Sequence, residues 1–178
     1  MIKYILIGLA AVIAIFLMVA ACRPADFKIQ RSVLISAPPA VVFAHVNDLH
    51  KFQEWSPWAK MDPGSKTTFE GPDSGVGAAL RWEGKKTGAG KMTLTESEPN
   101  ERVRFRLDFT KPFKGTNLAD FTITPEGDQT RLNWVMTGKY NLIMKAAGIF
   151  MDCDKMIGDQ FEHGLGYFKS LVEAGKNP

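Results

Sequence analysis

An α+β domain behind a hydrophobic N-terminal helix is the fold class this sequence predicts. Three observations carry that expectation. The run YILIGLAAVIAIFLMVAAC (Tyr4–Cys22) has no charge and lies between Lys3 and Arg23. From Lys66 onward, short segments alternate apolar and polar residues and are cut by Gly, Pro and Asn. That pattern belongs to antiparallel strands with one wet face. The last segment, from Asp154 through about Ala174, puts Ile157, Phe161, Leu165, Phe168 and Leu171 or Val172 on one helical stripe. One long amphipathic helix and a strongly curved sheet bury each other's apolar faces.

The leader has three readings. Its 19 residues are just enough to span a bilayer core as a helix. They also read as a signal peptide, with a basic start, a long apolar run and small residues at the end. VAAC (Val19–Cys22) looks like a bacterial lipobox, which makes Cys22 a lipidation candidate. Each reading divides the chain into residues 1–23, an anchor or leader, and residues 24–178, one domain by length. Each also places that domain at or beyond a membrane. Lys3 favours an extracytoplasmic domain in a bacterial cell envelope. Arg23, Lys28 and Arg31 weaken that orientation.

The elements follow in order. FKIQRSVLI (Phe27–Ile35) alternates as a strand, with Arg31 breaking its apolar face. Ser36-Ala37-Pro38-Pro39 stops it, and a proline in the first helical turn suits the short helix Pro39–Asp48. KFQEWSPW (51–58) holds Trp55 and Trp58 around a Ser-Pro turn. Strands then run over Thr67–Glu70, Ala78–Gly84, Lys91–Ser97, Arg102–Phe109, Thr116–Pro125 and Thr130–Tyr140. In Arg102–Phe109 the inward set is Val103, Phe105, Leu107 and Phe109, and the outward set is Arg102, Arg104, Arg106 and Asp108. The Gly-Asp pair in EGDQ suits a hairpin turn. Asn141–Phe150 reads as a short apolar helix, and Asp154 as the cap of the long one. Gly158, Gly164 and Gly166 inside that helix each cost about 1 kcal/mol relative to Ala. Close approach to the sheet or a ligand is the expected compensation.

These segments resemble a known family. RSVLISAPPAVVFAHVND, EWSPW, GVGAALRWEG, KMTLTES, PNERVRFRLDF, KPFKGTN and FTITPEGDQTRLNWVMTG are similar to the membrane-anchored branch of the START-like, polyketide-cyclase-like (SRPBCC) superfamily. So is the closing IFMDCDKMIGDQFEHGLGYFKSLVE. The resemblance covers residues 24 to 174. It implies a helix-grip fold, in which a curved antiparallel sheet wraps a long C-terminal helix over a deep apolar cavity. Members of the superfamily carry lipids, sterols or hormones, cyclise polyketides, or act as co-chaperones, so the fold does not settle the function.

Composition excludes several classes. The 22 basic and 19 acidic residues nearly balance, so nothing calls for nucleic acid. With Cys22 in the leader, Cys153 is alone and no disulfide is expected in the domain. His45, His50 and His163 lack metal-ligand spacing, and neither a metal nor a cofactor is expected. Cys153 lies between Asp152 and Asp154, which disfavour a thiolate. The glycine-rich GPDSGVG and GKKTGAGK read as turns. Asp152, Asp154, Asp159 and Glu162 cluster near the start of the last helix, where anions are favoured. Arg31 and Glu83 are the polar cavity candidates. The apolar cavity candidates are Trp55, Trp58, Trp82, Phe105, Phe109, Phe121, Trp134, Met136 and Phe161. Trp55 and Trp58 either plug the core or rim a ligand. The expected function is a membrane-attached domain that binds a hydrophobic small molecule or lipid. A cyclase or dehydratase and an envelope protein-interaction module are the alternatives.

Overall fold

The computed structural model describes residues 2–175. Helix α1 (Ile2–Cys22) leads into β1 (Asp26–Ile35). Three short helices follow: α2 (Pro39–Asn47), α3 (Leu49–Trp55) and α4 (Pro57–Met61). Six strands then run in sequence: β2 (Lys66–Glu70), β3 (Ala79–Glu83), β4 (Ala89–Glu98), β5 (Arg102–Lys111), β6 (Gly115–Glu126) and β7 (Gln129–Lys139). Helices α5 (Leu142–Ala147) and α6 (Cys153–Ala174) close the described chain. The strands form one antiparallel sheet in the order β1-β7-β6-β5-β4-β3-β2. Its concave face grips α6, as a helix-grip fold requires.

Local chemistry explains the short helices. Asp48 caps α3 by accepting from the backbone N–H groups of His50 and Lys51. Ser56 both ends α3 and starts α4, where its hydroxyl accepts from Ala59 N–H and Pro57 occupies the first turn. The Ser-Pro turn is therefore a helix-to-helix corner. The cap of α6 is Asp152, which accepts from Lys155 N–H, two residues before the expected Asp154. Asp154 instead pairs with Arg31 at 3.2 Å. Asn141 caps α5 through Met144 N–H.

The two sheet faces separate by period-two alternation. On the convex face, Arg104 binds Asp120 at 2.7 Å and Glu96 at 2.5 Å, and Arg102 binds Asp120 at 2.8 Å. Irregularities at Ala89/Gly90 and Leu94/Glu96 interrupt the β4–β5 register. Such bulges bend a sheet and increase its twist. On the concave face, Leu94, Val103, Phe105 and Phe121 are fully buried.

Two of the three glycines in α6 permit close approach. A Cβ on Gly158 would overlap the Arg31 guanidinium. A Cβ on Gly164 would lie 2.8 Å from Pro57 Cδ and 3.2 Å from Trp134 Cζ3. Gly166 has nothing within 4 Å, and no contact in the structure explains it.

Helix α1 is apolar and exposed along nearly all its length, Ala20 being its one buried residue. Its last turns lie against α5. Lys145 Nζ donates to Ala21 O at 3.2 Å, and Arg23 Nη1 donates to Gly148 O at 2.7 Å.

Candidate functional site

The interior is filled at one end and empty at the other. At the filled end, Trp55 is fully buried and meets Phe52, Phe168 and Trp134 edge-on at 4.5, 4.8 and 5.7 Å. Its indole N–H donates to His45 O at 3.4 Å. At the other end the same sheet bounds a cavity of about 550 Å³. On the concave face there, Ala119 contributes only a methyl to the lining. Volumes of this size suit a small organic ligand.

The walls come from consecutive strands and the short helices. Trp82, Met92, Leu107, Phe109, Phe121 and Met136 supply the sheet side, and Phe52, Trp58 and Ile157 the helical side. Trp134 forms part of the floor, stacked on Phe161 at 4.0 Å with an interplanar angle of 3°. The mouth lies between the β5–β6 hairpin, with Phe113 and Lys114, and the start of α5, with Asn141 and Met144. Lys111 and Lys139 also stand at this rim.

The sequence-predicted residues divide into three groups. Trp58, Trp82, Phe109, Phe121, Trp134 and Met136 line the cavity. Trp55, Phe105 and Phe161 are buried in the packed layer behind it. The tryptophans of EWSPW thus part company across the α3–α4 corner: Trp55 is core and Trp58 is wall. The third group, Arg31 and Glu83, lies outside the cavity. Arg31 turns to the first turns of α6, where it pairs with Asp154 at 3.2 Å and Glu162 at 2.8 Å. Glu83 sits on the wet side and pairs with Lys111 at 2.6 Å. Each charge found a partner in water more cheaply than in an apolar void. Cys22 is exposed at the end of α1.

Polar groups at the mouth went unread in the sequence. Asp62 is buried and accepts from Lys86 N–H at 2.8 Å, Thr87 N–H at 3.3 Å and Thr87 O–H at 3.3 Å. The bond from the Lys86 backbone, chiefly, holds its carboxyl below the usual aspartate range. Asp62 therefore clamps the β3–β4 turn onto the end of α4. Trp82 Nε1 donates to Thr87 O at 3.2 Å in the same turn. Tyr140 stacks on Phe27 at 4.5 Å, and burial pushes its phenol pKa up. Lys114 makes no ion pair among the described residues. The signal for this rim was the pair of lysines in KPFKG, the turn between two clearly alternating strands.

Two buried polar atoms in lining residues, Ser65 Oγ and Trp134 Nε1, have no hydrogen-bond partner among the described residues. No three His, Cys, Asp or Glu side chains gather as a metal group among the described residues.

A curved sheet that holds an apolar cavity against a long helix defines a class of small-molecule-binding domains. The chain belongs to the family described as polyketide cyclase / dehydrase and lipid transport, whose model matches residues 26–173. It is thus an SRPBCC protein. Solved structures agree in fold. Protein MLL2253 from Mesorhizobium loti matches with a TM-score of 0.62 at 17% identity, over 83% of this chain and 98% of that one. Protein CV1439 from Chromobacterium violaceum matches with 0.60 at 20% identity, over 82% and 96%. The Aha1 dimer from Colwellia psychrerythraea matches with 0.60 at 16% identity, over 85% and 99%. At these identities the likeness concerns the fold alone. A search of curated proteins returns no significant match.

Proposed function

We propose that this protein holds an apolar small molecule or lipid in its internal cavity while residues 1–23 keep residues 24–178 at a membrane. The cavity of about 550 Å³ with an aromatic and methionine lining carries this reading. Burial of the ligand's apolar body supplies the affinity, at roughly 25 cal/mol per Å² of apolar surface. Lys111, Lys114, Lys139 and Asn117 at the rim orient a polar or anionic head group. Helix α1 is long and apolar enough to cross a bilayer, with a mean hydropathy of 3.0.

The cyclase or dehydratase reading is weaker. A general acid or base needs a group that titrates near neutral pH at the reacting atom. Asp62 is the one carboxylate lining the cavity among the described residues. Its Oδ2 accepts from Lys86 and Thr87, and its pKa is lowered, not raised. Glu83 and Asp154 are exposed and ion-paired.

Native mass spectrometry of the full chain, released from detergent after expression in bacteria, tests the proposal. The expected result is a co-purifying apolar species of defined mass, recovered by organic extraction. A bare mass, together with no saturable binding of an apolar fluorescent probe, would overturn it.

A further inference from the structure

One apolar surface is unused by the cavity. Phe150 is 79% exposed, and Leu142, Ile143 and Met151 beside it are 48%, 57% and 50% exposed. All four belong to α5 or the turn from α5 to α6. Helix α5 also forms one lip of the cavity through Met144. The patch and the mouth therefore lie at the same end of the molecule.

The position of Phe150 along α1 is informative. Its ring stacks on Phe16 at 5.9 Å. Phe16 precedes Cys22 by six residues, roughly 9 Å along a helix. The 21 residues of α1 extend about 31 Å, close to the ~30 Å of a bilayer core. With α1 across a membrane, Phe150 falls well inside the level of Cys22. The nearby cations fall at that level instead. Arg23 and Lys145 bridge α1 and α5 at the end of the helix. Apolar groups below and basic groups above is the order of a bilayer boundary.

We propose that Leu142–Met151 is a second membrane-contacting element, seated in the interface beside α1, so that the cavity mouth opens onto the lipid surface. This inference rests on the reading of α1 as a membrane anchor. It deepens the proposed function by giving the ligand a source: an apolar molecule drawn from the bilayer passes between α5 and the β5–β6 hairpin without crossing water.

Lipid photocrosslinking tests the placement. The full chain is reconstituted in vesicles of phosphatidylethanolamine and phosphatidylglycerol. The photoreactive p-benzoylphenylalanine replaces Phe150 in one variant, Leu9 of α1 in a second and Val76 in a third. Val76 is 61% exposed and lies in the β2–β3 loop at the opposite end of the sheet. Lipid adducts at positions 150 and 9, with at least about tenfold less at 76, are expected. Adducts at 9 without adducts at 150 would overturn the inference and leave the anchor intact. Equal labelling at 150 and 76 would also overturn it. Loss of the protein from vesicles in alkaline carbonate, with no adduct at either 9 or 150, would remove the anchor reading and this placement together. Adducts at 150 without any at 9 would remove the transmembrane anchor and, with it, the placement of α5 beside that anchor.

Discussion

The filled and empty ends of the interior share the same strands but treat side chains in opposite ways. Along β5, Val103 and Phe105 are fully buried against α2, α3 and β6, whereas Leu107 and Phe109 face the void. All four point to the concave face. The difference lies in what stands opposite. Phe52, Trp55 and Phe168 fill the space over the first pair, with ring centroids 4.5 to 4.8 Å apart. The second pair borders the cavity instead, with Trp82 meeting Phe109 edge-on at 5.5 Å and Trp58 in the helical wall. One end holds the fold together, and the other leaves room for a guest.

That contrast predicts where substitutions hurt. Trp55→Ala removes the largest fully buried side chain of the filled end. Its unfolding free energy in urea should fall by about 3–5 kcal/mol; a loss below ~1 kcal/mol would mean that the filled end has slack. Gly164→Ala adds one methyl against Pro57 and Trp134. It should destabilise by about 1–3 kcal/mol, since overpacking outweighs the gain in helix propensity. Ala119→Phe adds far more bulk, but into the void. Stability should hold or rise by about 0.5–2 kcal/mol, while binding of an apolar fluorescent probe weakens by about tenfold or more, ~1.4 kcal/mol. Should Ala119→Phe destabilise as much as Gly164→Ala, the two ends would not differ in packing.

The smaller effects concern the rim and the outer face of α6. The folded-state pKa of Asp62 lies below the ordinary value of 3.8. Its ionised form therefore adds stability above that value, and the contribution is lost as pH falls through the folded pKa. Thermal melts of wild type and Asp62→Asn should show a gap that is steady at neutral pH and closes in strong acid. A gap that widened on acidification would contradict the sign. Gly166→Ala has open space around it and should stabilise the fold by roughly 0.5–1 kcal/mol. A loss there would reveal a close neighbour.

Much of the architecture was legible because its causes are local. The alternation in RVRFRLDF separates inner from outer residues without reference to any other segment. The proline in the first turn of α2 and the Gly-Asp hairpin act within a few residues of themselves. The cap of α6 was legible only as a cluster of acids. Asp152 rather than Asp154 closes the first turn, because Arg31 of β1 draws Asp154 aside across more than a hundred residues of chain. Arg31 and Glu83 could not be placed from the sequence for the same reason. An isolated charge on a strand goes wherever its partner lies: Glu162 draws Arg31 to α6, and Lys111 at the rim holds Glu83 on the wet side. The clamp at Asp62 was equally invisible, since its partners are backbone groups of a turn 24 and 25 residues away.

By itself the sequence determined the order of the elements, the two faces of the sheet, the apolar stripe of the last helix and the uncharged leader. Each of these follows from periodicity or composition within one segment. Only the tertiary structure decided which inner side chains pack and which surround a void, and that the void opens beside α5 and the end of α1. Those outcomes depend on the distance between the sheet and α6. That distance is a balance of volumes contributed by residues far apart in the chain, with Gly158 and Gly164 letting the helix approach and Ala119 leaving space beneath it.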